Sequence, residues 1–380
     1  MMNVLSFRLV TTTTTKATKT AIATSSFLKR NLMVTTTISS NQPDDTPIAT
    51  GVTDLVDQLL RRTESYFEGP ANHHCVAFSG GVDSSLVLAL LREVFTSSSN
   101  NRSSAVTKII HPVLGISPAV PQEQIEMARR VSEQLGFSLT EVRTNEGSDP
   151  RYIANQGEAC LACKTHLYTS LQLVLDHTSK LYQTNGEALS SISSSSLPYS
   201  ASTTSSSFSQ GTVQLYNGTN ADDRQDPTRV GLLAAAAFQV VSPLDQIGKE
   251  QVRQAARHLG LPNWNAAASP CLRSRLALGV EATQQHLSQI EKAERLVRST
   301  LVSERRKVES SPDTTITMNL RVRLLSQQRA RIEVDEEFIE DAKVWIPKWT
   351  PSFQELGFSS IHVQAFRSGS VSRPLDNALL

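Results

Sequence analysis

A chain of 380 residues is long enough for two folded domains with extensions. Its 39% apolar content supports ordinary cores, but no apolar run approaches the ~18 residues of a membrane helix, so no membrane partner is expected. The formal charge is +1, yet the first 43 residues hold five basic residues and no acidic one, so the rest is net −4 and lacks the basic surplus of a protein that holds long nucleic acid.

That leader carries Arg8, Lys16, Lys19, Lys29 and Arg30 among many Thr and Ser. It has the composition of an organelle transit peptide, mitochondrial or plastid; the alternative is a disordered tail on a cytoplasmic protein. Residues 1–47 are therefore set apart. A helix is expected over 51–68, stopped by Gly69-Pro70, then a short strand over 75–78, a glycine loop, and a helix through Leu86 to Leu91. A second strand is expected over 106–116, a helix over 122–135, a third strand over 138–143 and a helix from 160 to 175. The Ser-rich stretch at about 188–211 reads as a disordered insert. Short strands at 214–216 and 239–241 and a helix over 248–259 complete an alternating pattern. That pattern predicts an α/β fold with a doubly wound parallel sheet over 48–280. From 281 to 380 the pattern changes to a smaller α+β domain. It has an amphipathic helix (Leu287, Ile290, Val297, Leu301), a polar loop over 304–315 and strands at 319–324 and 330–334.

The loop reads Ser79-Gly80-Gly81-Val82-Asp83-Ser84-Ser85 between strand and helix. Its glycines let the backbone approach an anion, its serines supply hydroxyls, and the following helix start offers free N–H groups. Together these form a cradle for pyrophosphate. Asp83 beside an anion makes sense if it positions the loop or helps hold Mg²⁺. The bland alternative is a Gly-Ser turn capping a helix. There is no GxxxxGK[ST], so this is not a Walker A loop.

Further clusters follow in order: Asp149-Pro150-Arg151-Tyr152 with Cys160-Leu161-Ala162-Cys163-Lys164; Asn217-Gly218-Thr219-Asn220-Ala221-Asp222-Asp223; Ser269-Pro270-Cys271-Leu272-Arg273-Ser274-Arg275; and Leu320-Arg321-Val322-Arg323. With the SGGVDSS loop, this order resembles the LarE-type ATP-dependent sulfur transferases, a branch of the PP-loop ATP pyrophosphatase superfamily, over about residues 50 to 335. The chain departs from that family at Ala159 and Leu161, where an Arg and an aromatic are usual, and at Asn217, where an Asp is usual.

The resemblance implies an adenylating enzyme. ATP would activate a carboxylate of a pyridinium dicarboxylate mononucleotide, with Asp83 and Ser84 acting at the loop. A sulfur nucleophile at Cys271 would then leave a thiocarboxylate. Some relatives use one cysteine of the SPCL block as a sacrificial sulfur donor; Cys160, Cys163 and Cys271 match others, in which three cysteines hold a four-iron four-sulfur cluster. Read from the residues alone, a zinc site with His166, a CxxC disulfide or buried thiols remain open. Cys75, on a core strand, reads as packing. Arg321 and Arg323 alternate on a strand and share a face. They suit a substrate phosphate, or are edge-strand charge. Arg275 suits a phosphate or a nearby thiol, or is a surface ion pair. ATP, Mg²⁺, a small pyridinium nucleotide and a homo-oligomer are the expected cofactors and partners. A tRNA thiolase of the 2-thiocytidine type and a non-catalytic ATP-binding regulator are the rival readings, and the −4 body argues against the first.

Overall fold

The computed structural model describes residues 48–99, 108–185, 213–226, 229–267, 271–308 and 318–367. The leader and the Ser-rich insert lie outside these. The first half alternates strand and helix: α1 (Ile48–Phe67), β1 (His73–Ala77), α2 (Val82–Ser99), β2 (Ile109–Ile116), α3 (Gln122–Gln134), β3 (Thr140–Arg143), α4 (Pro150–Ala154), α5 (Ala159–Asn185), β4 (Val213–Tyr216), α6 (Ala221–Gln225), α7 (Gly231–Ala237) and α8 (Lys249–His258). The four strands form one parallel sheet in the order β3-β2-β1-β4.

Alternation along the strands explains the double winding. Val76, Leu114 and Tyr216 face a core with residues of α1, α2, α3 and α8. Their neighbours Cys75, Val113 and Leu215 face the opposite way, into a core with α5 and α7. A strand buried on both faces reads as a continuous apolar run, as a parallel sheet requires. Cys75 is fully buried, and burial pushes its thiol pKa well above the ordinary value, so it is inert packing.

The second half holds α9 (Gln284–Val308), β5 (Leu320–Leu325), β6 (Arg329–Val334), α10 (Ile339–Glu355) and β7 (Ser360–Ala365), with a three-stranded sheet ordered β5-β6-β7. β5 and β6 are antiparallel, and β6 and β7 parallel. Leu287, Ile290, Val297 and Leu301 do bury one face of α9, against Val322, Leu324 and Ile332 of the sheet and Trp349 and Phe353 of α10.

Two local expectations are corrected, and two elements were not expected. The polar stretch expected to begin at 304 is helical as far as Val308, continuing α9. At 239–241 there is no strand, because Gln239 adopts a left-handed φ of 52°; only Val241 makes an isolated parallel bridge to Tyr216. α10 and β7 carry no clear sequence signal: the helix contains Pro347 and Pro351, and the strand is mostly half-exposed.

Candidate active site

The glycine loop sits between β1 and α2 at the carboxyl edge of the parallel sheet, where open α/β sheets bind ligands. Ser84 Oγ donates to the Gly81 carbonyl at 3.1 Å and lies 3.1 Å from Ser79 Oγ, which closes the loop on itself. Gly80 has φ +73°, and a Cβ there would meet the Ala128 backbone of α3 at 2.7 Å, so only glycine lets the loop lie against that helix. Val82 is buried in the first core, and Ser85 is buried beneath the loop.

Side chains remote in sequence brace this loop. Asn263 Nδ2 donates to the Gly80 carbonyl and to Ser85 Oγ, both at 2.9 Å. Gln124 Nε2 donates to the Ser79 carbonyl at 2.9 Å. Asp83 accepts from Asn220 Nδ2 at 3.1 Å on one oxygen and is ion-paired to Lys249 Nζ on the other. Gly218 presses on the same point, since a Cβ there would lie 2.7 Å from the Asp83 backbone and the Ser84 nitrogen. Asp222 accepts the Lys249 amide at 2.9 Å, and Asp223 completes a capping box with Asn220. The Asn217–Asp223 motif is legible in sequence, whereas Gln124, Lys249 and Asn263 carry no local signal. Mg²⁺ needs only one or two protein carboxylates besides substrate phosphates. Asp83 is the loop carboxylate that would meet that need, with its Lys249 ion pair opened.

The cysteine block forms the seam between the two sheets. Leu272 donates its amide to the Ala119 carbonyl at 2.7 Å, just beyond β2. Four residues on, Leu276 bridges to Leu324 of β5. Asn155, in a left-handed conformation after α4, donates to the Ala277 and Val280 carbonyls and accepts from Arg273 at 2.7 Å. Arg273 Nη2 donates to Cys160 Sγ at 2.9 Å. The thiols of Cys160, Cys163 and Cys271 all act electrostatically on this guanidinium, so the fold brings the three cysteines into one neighbourhood. Burial, with Glu146 and Cys271 adding, pushes the Cys163 thiol up to about 12. His166 instead pairs with Asp149 at 3.2 Å. Among the described residues, no three His, Cys, Asp or Glu side chains come close enough to hold one metal ion. Three thiols are the right donors for an iron–sulfur cluster, but in this arrangement they do not close on one, and Arg273 stands among them.

The three arginines separate. Arg323 is buried against Glu333 at 2.7 Å and donates to the Ser274 carbonyl. Arg275 is also buried, not at the surface; it pairs with Glu294 at 2.9 Å and donates to the Cys271 carbonyl. Arg321 is buried too, yet among the described residues its guanidinium makes no hydrogen bond or ion pair. It lies 4.7 Å from the Phe366 ring centre. Burial, followed by the charges of Arg275 and Arg323, brings its pKa down to about 10. Arg321, Arg275, Leu272, Pro121, Glu294 and Phe366 line a small, partly open cleft. Trp264 packs against the first core under Arg257, away from this cleft.

The start of α3 links all three features. Gln124 touches the loop, the Ala119 carbonyl holds the residue after Cys271, and Pro121 and Glu123 line the Arg321 cleft.

No protein-family model matches the chain. An uncharacterized protein of Synechocystis sp. is 28% identical over 330 residues, 84% of this chain and 99% of its own length. The pyridinium-3,5-bisthiocarboxylic acid mononucleotide synthase of Lactiplantibacillus plantarum is 26% identical over 309 residues, 80% of this chain and 91% of its own length. Among solved structures, the NMN synthetase of Francisella tularensis aligns with a TM-score of 0.33 at 16% identity, over 71% of this chain and all of that one. Likeness to the synthase along four-fifths of the chain reaches well beyond a nucleotide loop and, with that loop set between a parallel strand and a helix, supports a LarE-type protein of the PP-loop ATP pyrophosphatase superfamily.

Proposed function

We propose that the protein is an ATP-dependent sulfur transferase acting on a pyridinium dicarboxylate mononucleotide. A substrate carboxylate oxygen attacks the α-phosphorus of ATP on the loop. The α–β bond breaks, and pyrophosphate leaves with the electron pair. Sulfide (HS⁻) beside Cys271 then attacks the acyl carbon; the C–S bond forms as the C–O bond to AMP breaks, AMP departs with the former carboxylate oxygen, and loss of the sulfide proton leaves the thiocarboxylate. Adenylation is needed because a carboxylate is a poor electrophile. Loop N–H groups and hydroxyls offset the charge developing on pyrophosphate, and Mg²⁺ held through Asp83 would add to this. We assign adenylation to residues 48–280, which also carry Cys160, Cys163 and Cys271, and binding of the substrate phosphate at Arg321 to 281–380.

The observation that carries this reading is Arg321. A buried guanidinium with no carboxylate partner is costly in a folded protein. It is well used if an anionic ligand supplies the partner. A mononucleotide phosphate against Arg321, with Arg275 behind it, would sit in the cleft that Leu272 lines, one residue from Cys271. The bidentate match of guanidinium to phosphate favours this ligand class. The iron–sulfur cluster belongs to the same proposal. Cys160, Cys163 and Cys271 are the residues that would hold it, and the chemistry it would supply there is delivery of sulfide to the adenylated carboxylate.

The test is mass spectrometry of small molecules after incubation with ATP, Mg²⁺, sulfide and pyridinium mono- and dicarboxylate mononucleotides. The expected product has one oxygen replaced by sulfur, with AMP and pyrophosphate in equal amount. Pyrophosphate release without any sulfur-bearing nucleotide would overturn the sulfur-transfer assignment.

A further inference from the structure

Lys249 is out of place by local rules. It occupies the first position of α8, where the helix dipole disfavours a cation. Its amide is held by Asp222 at 2.9 Å, so the backbone is fixed while the side chain remains one-third exposed. That side chain reaches across 166 residues of sequence to the Asp83 carboxylate. Asp83 is thereby saturated, with Asn220 on one oxygen and Lys249 on the other. A carboxylate neutralised by an ammonium is poorly placed to take a metal. The same ammonium stands at the start of the helix that follows the loop, where pyrophosphate charge would develop.

We propose, building on the adenylation reading above, that Lys249 is the mobile counter-charge of the loop. It holds Asp83 before nucleotide binds, yields that carboxylate to the metal of bound ATP, and then sits against the β-phosphate side as the α–β bond breaks. No proton moves in this exchange. The ammonium keeps its three protons and changes partner from a carboxylate to a phosphate oxygen, while the leaving pyrophosphate takes the electron pair of the P–O bond. Asp222 acts as a positioning residue, since it fixes the point from which Lys249 swings. Asn220 keeps Asp83 oriented when Lys249 leaves.

The test compares wild type, Lys249→Met and Lys249→Arg. Mn²⁺ serves as a spin-active substitute for Mg²⁺ and inorganic pyrophosphate as the anion. In Lys249→Met, Mn²⁺ alone should bind more tightly than in wild type, because its competitor at Asp83 is gone. Mn²⁺-pyrophosphate should bind more weakly, and adenylation turnover should fall by about 10². Lys249→Arg should recover part of the pyrophosphate affinity, and thermal unfolding should be unchanged in all three. Opposite signs for metal and pyrophosphate would not arise from a merely structural lysine. If both affinities move together, or neither moves, the proposal is overturned. The inversion in a protein that never adenylates a carboxylate would support Lys249 and overturn only the function proposed above.

Discussion

Arg323 and Glu333 form a 2.7 Å ion pair across β5 and β6 in which both side chains are almost wholly buried, at 6% and 1% exposure. Arg321, two residues earlier on the same face, lies directly opposite Glu333 in the strand register and yet does not share it. Glu333 is committed diagonally, and Arg321 is left to the cleft.

Removing one partner of such a pair leaves an uncompensated buried charge. Arg323→Ala should therefore cost about 3–5 kcal/mol in stability. Arg321→Ala should leave stability unchanged or higher, while binding of a phosphate-bearing mononucleotide weakens by roughly 10–100-fold, the worth of one or two hydrogen bonds to a charged group. Thermal unfolding with and without nucleotide separates the two. Equal destabilisation by both changes would contradict the division of roles.

Gly80→Ala should displace the loop from α3, since the added methyl meets backbone and the φ is positive. A misplacement of about 1 Å commonly costs ~10² in rate, and pyrophosphate release should fall by at least that. Gly147→Ala is the control, because a methyl there meets nothing within 4 Å. Similar turnover in the two variants would show that the close approach is unimportant.

Acid should unfold the protein through its histidines. His73 Nδ1 and His111 Nε2 share a hydrogen bond at 3.0 Å near the N-terminal ends of β1 and β2, and His74 stacks on Phe67. Burial lowers all three, His111 to about 4 and His74 to about 3. They are neutral in the fold, whereas an unfolded chain takes up their protons below about 6.5. Stability is therefore full above that pH and declines as pH falls towards 4, by up to roughly 1.4 kcal/mol per pH unit for each histidine. Urea titrations at pH 7 and pH 5 measure the slope, and His111→Asn should flatten it. An unaltered slope in that variant would discount the pair.

Protein purified without air should be brown and should hold iron. Replacing Cys160, Cys163 or Cys271 by Ala should each remove most of it, while Cys75→Ala should not. Cys271→Ala should also end sulfur transfer but spare pyrophosphate release. If iron is absent from anaerobic wild type, the Cys160→Ala/Cys163→Ala protein still turns over once and Cys271 loses its sulfur by mass, the donor is Cys271 itself and not a cluster.

The residues that write themselves into local patterns were readable in advance. Strand-loop-helix around SGGVDSS, the double-sided burial of 75–78 and the amphipathic face of α9 each follow from neighbours a few residues apart, and periodicity senses that range. The CxxC spacing likewise announces a paired thiol site. What only the tertiary structure decided is partnership over long separations. Arg321 and Arg323 are indistinguishable by pattern, and a glutamate on the adjacent strand determines which one is neutralised. Lys249 and Asn263 lie 166 and 183 residues from the loop atoms they hold, so no window of sequence contains both ends. Arg273 reaches Cys160 from 113 residues away and sets the geometry among the three thiols. The physical reason is the same in each case. Helix and strand formation are driven by short-range backbone geometry and side-chain period, whereas the pairing of buried charges depends on which surfaces the packed cores bring together.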